Sequence, residues 1–277
     1  MIVSIASGKG GTGKTTIAVN LALSLSNTQL LDCDVEEPNS HIFIKPEIKS
    51  KKPVFIPVPE VDKSKCNFCG RCKEVCAYNA IAVIKDIDVL VFSELCHGCG
   101  ACSYLCPQNA IKEINREIGT VEIGVKGDLQ FAHGKLNIGE AIAPPLIKAV
   151  KQYINPTRTV IIDVPPGTSC PVIEAIKGSD FCILVTEPTP FGLYDLTLAV
   201  EVLRKLKILF GVVINRSDLG DKKTGEYCKK EKIPILMRIP FRKEIAMAYS
   251  RGEIIVEVFP EYKKEFQKLF SKIKSII

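Results

Sequence analysis

The stretch MIVSIASGKGGTGKTT (residues 1–16) decides the fold of this chain. Its apolar part, IVSIAS (2–7), predicts a buried strand, and helical periodicity begins at Lys14. Between them, residues 8–15 match the G-x-x-x-x-G-K-[ST] pattern of a phosphate-binding loop, in which glycines let backbone N–H groups approach phosphates. Lys14 would reach the β- and γ-phosphates, and the Thr15 hydroxyl would bind Mg²⁺. The predicted nucleotide-binding residues here are Gly8, Lys9, Gly10, Gly11, Thr12, Gly13, Lys14, Thr15 and Thr16.

Strand and helix patterns alternate along most of the chain. Apolar runs predict strands at 29–34, 120–125, 129–134, 158–167, 181–188, 208–216 and 234–240. Helical patterns cover 14–26, 141–153, 193–205, 221–232, 242–250 and 260–276, whereas the Pro- and Lys-rich segment 49–65 is expected to be a connection. Strands alternating with helices indicate an α/β fold with a mostly parallel sheet covered by helices on both faces.

A duplicated cysteine pattern interrupts this alternation. CNFCGRCKEVCAYNAI (66–81) aligns with CHGCGACSYLCPQNAI (96–111), and the second copy follows the first by 30 residues. Each copy has the C-x₂-C-x₂-C-x₃-C spacing of two-cluster bacterial ferredoxins, in which the fourth cysteine of each run binds the other cluster. One [4Fe–4S] cluster is therefore predicted on Cys66, Cys69, Cys72 and Cys106, and a second on Cys96, Cys99, Cys102 and Cys76.

Zinc is the alternative metal. It is typically held by two C-x-x-C pairs, however, and the two runs supply more cysteines than a zinc site needs. His97 stands among ligands that already suffice, so it is expected to influence potential or solvent access only. The predicted division is 1–56 and 119–277 for a nucleotide-binding domain and 57–118 for a small inserted α+β ferredoxin-like domain.

Composition favours a globular protein without a membrane-spanning segment. The 277 residues are 46% hydrophobic and 25% charged, and no apolar run approaches the roughly 20 residues that span a bilayer. The first residues lack the features of a signal peptide, so a cytoplasmic location is expected. Residues 201–277 hold 18 Lys and Arg against 10 Asp and Glu. Charge alone is a weak signal, so neither nucleic acid nor membrane is expected as a partner.

A second lysine, Lys9, stands inside KGGTGKT (9–15). With this feature the chain resembles the deviant Walker A ATPases, the MinD/ParA-like group that includes the nitrogenase iron protein. The segments DCD (32–34), VIIDVPPGT (160–168), VTEPTPFGLYDL (185–196), GVVINR (211–216) and IPFRKEIAMAYSRG (239–252) fit the same group, so the resemblance covers 1–45 and about 128–277.

The resemblance implies roles for further residues. Asp34 would orient the attacking water, Asp32 and Asp163 would hold Mg²⁺ with Thr15 and Asp34, and Gly167 would be the switch II glycine. Asn215 would contact the adenine, and Pro240 would be a further nucleotide-binding residue. The signature Lys9 would cross to the phosphates of a partner copy, so an ATP-dependent homodimer is implied. The implied catalytic residues are Lys9, Lys14, Asp34 and Asp163.

Four cysteines lie outside the duplicated runs. Cys33 and Cys182 are expected in the core, and Cys228 in a polar helix, without a function. Cys170 resembles the bridging-cluster cysteine of the nitrogenase iron protein, but no second cysteine occurs between 107 and 169, so a cluster there would lack half its ligands.

The favoured hypothesis is a Mg²⁺-dependent ATPase with two [4Fe–4S] clusters that couples nucleotide-driven dimerisation to electron transfer or metallocluster assembly. Its acceptor would be a redox or iron–sulfur protein. One alternative is a MinD-type membrane or partition ATPase, suggested by the basic, amphipathic segment 261–277, although packing of this segment within the fold is favoured. The other is an electron carrier with a vestigial or regulatory nucleotide site.

Overall fold

The computed structural model describes all residues, 1–277, and its centre is a nine-stranded sheet. The strands are β1 (Ile2–Ala6), β2 (Thr28–Asp32), β3 (Glu47–Val61), β6 (Ile111–Lys126), β7 (Leu129–Leu136), β8 (Thr159–Asp163), β9 (Phe181–Thr186), β10 (Leu209–Asn215) and β11 (Ile235–Ile239). Their order is β11-β10-β9-β1-β8-β2-β7-β6-β3. From β11 to β7 all neighbours are parallel, whereas β6 and β3 add antiparallel strands at one edge.

Helices cover both faces of the sheet. Alternate residues of β8 point to opposite sides, so that Val160 and Ile162 join one apolar core and Ile161 joins the other. The first core lies under α5 (Pro144–Lys151), α6 (Cys170–Ile176), α7 (Pro190–Leu206) and α8 (Lys223–Lys230). The second lies under α1 (Lys14–Ser24), α2 (Ser40–Ile44), α10 (Ile255–Val258) and α11 (Glu261–Ile276), with α9 (Lys243–Ser250) beside it. The predicted α/β class, a mostly parallel sheet covered by helices, is confirmed.

The expectation of a connection at 49–65 is wrong, because most of this segment forms β3. β3 pairs with β6 over its whole length, from Glu47↔Val125 to Val61↔Ile111. Three prolines, Pro53, Pro57 and Pro59, fit because β3 is an edge strand, where a missing N–H breaks no ladder. The lysines of this strand also suit an exposed edge, because charged side chains discourage the open edge from pairing with another chain.

β3 and β6 form a ribbon that leaves the main sheet. Only residues 119–126 of β6 pair with β7, and a bulge interrupts the register between Val54 and Phe55. Beyond this bulge the ribbon carries the duplicated cysteine segments, which contain α3 (Arg71–Glu74), α4 (Ala101–Tyr104), a 3₁₀ turn at Ser93–Leu95 and the hairpin of β4 (Ile81–Ile84) with β5 (Asp88–Val91). The predicted boundaries at 56/57 and 118/119 thus fall next to this bulge inside continuous strands.

The basic C-terminal helix α11 packs within the fold, as the favoured prediction stated. Its apolar face consists of Tyr262, Phe266, Leu269, Phe270 and Ile273, and all five side chains are buried. α11 lies against α1 and β11, and the Gln267 amide donates to the Ser24 carbonyl at 3.0 Å. The segment therefore presents its charged face, not its apolar face, to solvent.

Candidate functional site

The phosphate loop lies between β1 and α1, at the carboxyl end of the parallel strands. Gly11 and Gly13 have φ angles of 77° and 95°, which only glycine adopts without strain. At Gly8 a Cβ would lie 2.3 Å from the Asp195 carbonyl oxygen of α7, so close packing also demands glycine there. The Asn215 side chain donates to the Thr12 carbonyl at 2.9 Å. The loop is thus held open in the shape that directs N–H groups inward.

Three carboxylates stand beside this loop. Asp32 and Asp163 end adjacent parallel strands, where they are direct register partners, and both are fully buried. The Lys14 ammonium lies 3.7 Å from the Asp34 carboxylate. Asp32 accepts backbone N–H bonds from Asp34, Asn39 and Ser40, at 3.1, 3.2 and 3.0 Å.

Burial disfavours the charged form of all three carboxylates, an effect that a bound cation would oppose. Burial, reinforced by the Asp163 charge, raises the pKa of Asp32 to about 8. Burial also raises the pKa of Asp34 to about 6 although Lys14 opposes it, and it raises the pKa of Asp163. One oxygen of Asp163 is buried without a hydrogen-bond partner. Oxygen ligands are what Mg²⁺ prefers. The three carboxylates do not converge closely enough to bind one ion directly, so these residues fit a hydrated magnesium ion that they would hold through its water molecules.

A cavity of about 420 Å³ extends from the loop. The predicted residues on its wall are Gly10, Gly11, Gly13, Lys14, Thr15, Thr16, Asp34, Asn215 and Pro240. Gly8, Lys9, Thr12, Asp32, Asp163 and Gly167 lie outside this wall. Gly167 is tied to the loop because its N–H donates to the Ser7 carbonyl at 3.0 Å. The phosphate-binding groups therefore share one cavity with Asn215 and Pro240, a layout that suits a nucleotide.

Two polar residues of this region were missed by sequence reasoning. The Ser40 hydroxyl donates to Asp163 at 3.3 Å, and no motif marks this serine. Glu187, directly after β9, lies 3.7 Å from the Lys9 ammonium and 2.9 Å from the Arg216 guanidinium. An acid immediately after a buried strand was the available signal for Glu187. In this state the signature lysine is paired with a carboxylate of its own chain.

The eight cysteines of the duplicated runs line two small cavities on the ribbon. The proximal cavity is lined by Cys76, Cys96, Cys99 and Cys102, together with Pro57 and Pro59 of β3. The distal cavity is lined by Cys66, Cys69, Cys72 and Cys106, together with Val61 and Ile111 at the far end of the ribbon. Each cavity takes three cysteines from one run and the fourth from the other, so the structure brings together the crossed sets.

Backbone N–H groups point at the cysteine sulfurs in a repeated manner. Phe68 and Gly98 donate to Cys66 and Cys96 at 3.4 Å in both copies. Ala80 and Ala110 donate to Cys76 and Cys106 at 3.3 Å in both copies. Such hydrogen bonds stabilise thiolates and tune iron–sulfur centres, so the donor set fits a cluster in each cavity. No group of three or more His, Cys, Asp or Glu side chains converges closely enough to hold a single metal ion.

The other four cysteines are placed apart from these cavities. Cys33, Cys182 and Cys228 are fully buried, and burial raises the pKa of Cys182 to about 12 and of Cys228 to about 11, so both remain thiols. Burial also raises the pKa of Cys33. Cys170 is exposed at the first residue of α6.

Comparison with known proteins supports the nucleotide-binding fold. Residues 3–256 match the family described as the CobQ/CobB/MinD/ParA nucleotide binding domain. The uncharacterized protein MJ0579 of Methanocaldococcus jannaschii is 34% identical over 260 residues, covering 91% of this chain and 90% of that protein. An iron-sulfur cluster carrier protein of Pyrococcus horikoshii is 22% identical over 309 residues, covering 99% of this chain and 87% of its own length. The cell division ATPase MinD of Pyrococcus furiosus is structurally similar, with a TM-score of 0.58, 21% identity, and coverage of 100% and 99%.

The sheet order, the phosphate loop and the buried carboxylates beside it define a P-loop nucleotide-binding protein. The match over most of the sequence makes the assignment more specific. This chain belongs to the CobQ/CobB/MinD/ParA nucleotide-binding family.

None of the helices combines the length and the apolar character needed to cross a membrane.

Proposed function

We propose that this protein is an ATP-hydrolysing iron–sulfur protein that couples nucleotide-dependent dimerisation to electron transfer or to iron–sulfur cluster assembly. The observation that carries the proposal is the crossed arrangement of eight cysteines in two cavities, on a ribbon continuous with the sheet of the nucleotide site. Relatives named iron-sulfur cluster carrier proteins favour cluster chemistry. The division into 1–56, 57–118 and 119–277 is part of this proposal.

In this proposal the loop glycines bind the phosphates of ATP, and Lys14 neutralises charge on the β- and γ-phosphates. Thr15, Asp32, Asp34 and Asp163 hold Mg²⁺, which supplies charge stabilisation at the phosphoryl group. Asp34 lies beside Lys14 and orients the attacking water.

Lys9 acts in a second copy of the chain. Its side chain is one-third exposed at the loop surface, so it can exchange its contact with Glu187 for the phosphates of a partner. A cation supplied across an interface accelerates comparable phosphoryl transfers by roughly 10³–10⁵. Nucleotide binding and homodimer formation are then linked through one residue.

The two crossed cysteine sets hold one [4Fe–4S] cluster each. A bound cluster supplies one-electron redox chemistry, and the backbone N–H groups at 3.3 and 3.4 Å favour the thiolate form of its ligands. Cys69 and Cys99 reach the surface, so a partner protein would approach the clusters from this exposed side.

The ribbon provides a route between the two halves. Glu122 of β6 contacts the Lys51 ammonium of β3 at 3.1 Å and the His133 ring of β7 at 3.0 Å. His133 is the register partner of Asp32, one of the magnesium-site acids. In this proposal, a displacement at the carboxylates passes through the paired strands to the residues that carry the cysteines. No feature of the structure favours the alternative of a membrane-localisation ATPase, since the apolar face of α11 is buried.

The testing experiment measures ATP hydrolysis by anaerobically purified protein with oxidised and with dithionite-reduced clusters, after confirming about eight iron atoms per chain. We expect the rate to change on reduction. An unchanged rate would contradict direct coupling within this chain, and an iron content near zero would contradict the cluster assignment.

A further inference from the structure

The two cysteine cavities are related by the internal repeat, but their surroundings differ. Adding 30 to a residue number maps the first cysteine run onto the second, so each lining residue has a counterpart. Counterparts that differ therefore show directly how the two cavities differ. Three differences point in one direction, and all concern access to the cavity.

The first difference is a pair of stacked rings. Tyr78 and His97 both line the proximal cavity, and their rings lie face to face with centroids 3.6 Å apart and an interplanar angle of 8°. The counterparts of His97 and Tyr78 are Asn67 and Gln108, which line the distal cavity. Two small amide side chains thus replace two stacked rings.

The second difference is the burial of the ligands. Cys96 and Cys102 are 8% and 9% exposed in the proximal cavity. Their counterparts, Cys66 and Cys72, are only partly buried. Since loss or exchange of a cluster requires a competing ligand to reach the iron–thiolate bonds, the distal ligands are the more accessible set.

The third difference is attachment to the main core. Cys96 belongs to the apolar core of the nucleotide-binding domain, together with Ile56 and Val58 of the ribbon. Cys76 packs against the same core. The distal cysteines Cys66, Cys72 and Cys106 pack instead on a small separate cluster, which also contains Cys102 of the proximal set. Phe68 and Gly98 are counterparts, and this position is covered in both cavities. In the distal cavity the Phe68 side chain covers it. In the proximal cavity Pro57 packs against Gly98, where a Cβ would lie 3.0 Å from the Pro57 carbonyl oxygen.

We propose that the two sites are functionally unequal: the proximal site, closed by the Tyr78–His97 stack, retains its cluster, and the distal site is the exchangeable one. The inference rests on the proposed function and specifies which site serves an acceptor. The acceptor is an apoprotein that presents cysteine thiols. On transfer, four iron–thiolate bonds to the distal cysteines are replaced by four to the acceptor, whose thiol protons pass to the released cysteines without a change of oxidation state.

The test follows cluster loss in the full-length, anaerobically prepared protein. An Fe²⁺ chelator is added, samples are alkylated with iodoacetamide at intervals, and peptide mass mapping reports which cysteines have become free. Iron content and the EPR spectrum of reduced samples are measured in parallel. Cys170, which is exposed, and Cys182, which is fully buried, are internal controls for immediate and absent alkylation.

We expect two phases. Loss of about half the iron should accompany alkylation of Cys66, Cys69, Cys72 and Cys106, and the EPR spectrum should change from that of two interacting clusters to that of one. Simultaneous loss from both sites, or earlier loss from the proximal site, would overturn the inequality while leaving the proposed function intact. Protein that never binds iron would remove both.

Variants that exchange counterparts test the role of the stack. Tyr78→Gln with His97→Asn gives the proximal site the distal residues and should merge the two phases. Asn67→His with Gln108→Tyr makes the reciprocal change and should slow the fast phase. If both variants bind full iron and keep the wild-type phases, the stack is not the cause of retention.

Discussion

Lys14 is a buried lysine at the first position of α1, and its ammonium lies 3.7 Å from the Asp34 carboxylate. We expect Lys14→Ala to lower ATP hydrolysis by roughly 10²–10³-fold or more, because removal of a preorganised charged donor to a transition state has effects of that order. Phosphate release measures the rate, and iron content checks the cysteine cavities, which should be unaffected. Loss of iron in this variant would mean that the cysteine cavities need the nucleotide site to form, and would contradict the division of the chain into separate domains.

The contact between Glu187 and Lys9 can be tested by single substitutions. Glu187→Gln removes the carboxylate that holds Lys9 at 3.7 Å in its own chain, so we expect ATP-dependent dimerisation at lower ATP concentration. Analytical ultracentrifugation across an ATP titration measures this shift. Glu231→Gln is the matched control, since Glu231 pairs with Arg204 at 2.9 Å on a distant surface.

Lys9→Ala completes the comparison. This variant should bind ATP yet remain a monomer and hydrolyse ATP slowly, because it lacks the ammonium group that would reach the phosphates of a partner copy. Normal turnover by a monomeric Lys9→Ala protein would contradict the role of Lys9 between copies.

At the scale of single elements, α11 shows how packing decides between two interpretations of one amphipathic pattern. Leu269 on its apolar face is 1% exposed, whereas Lys268 beside it is mostly exposed. Leu269→Ala should lower the free energy of unfolding by about 2–5 kcal/mol, the usual cost of such a cavity. Urea denaturation measures the loss, and Lys268→Ala is the control, with an expected change within about 0.5 kcal/mol. Equal stability of both variants would mean that α11 is not packed as described.

β3 is the element that sequence periodicity misjudged. Three prolines and a run of lysines resemble a linker when the chain is considered locally. The same residues are tolerated in a strand because β3 pairs on one side only, and neither proline nor charge is harmful at an open edge. By contrast, β1, β8 and β9 were predictable, since strands buried on both faces are continuous apolar runs.

At the scale of the whole molecule, the ribbon is clamped to the nucleotide-binding domain by an ion pair. The two terminal guanidinium nitrogens of Arg116 on β6 donate to the Glu140 carboxylate. Glu140 lies in the segment between β7 and α5, and the ion pair is largely buried. Glu140→Gln leaves the guanidinium without a counter-charge and should lower the free energy of unfolding by about 3 kcal/mol. It should also reduce the response of ATP hydrolysis to cluster reduction.

The matched control is Glu60→Gln, on the same ribbon. Glu60 pairs with Lys112 at 2.8 Å, but both side chains are exposed, so the change in stability should stay below about 1 kcal/mol. If the two variants respond to cluster reduction equally, the Arg116–Glu140 contact does not transmit the signal.

The sequence by itself determined the phosphate loop and the α/β class, because each depends on local spacing or on strongly periodic apolar residues. The crossed grouping of cysteines stays a prediction from the ferredoxin pattern. Only the tertiary structure decided that Glu187 pairs with Lys9, that Ser40 reaches Asp163, and that Tyr78 stacks on His97. These contacts join residues from 19 to 178 positions apart, and their partners carry no mutual spacing rule. Which strand lies at an edge, and which of two similar cavities is shielded, likewise follows from long-range packing that no local pattern encodes.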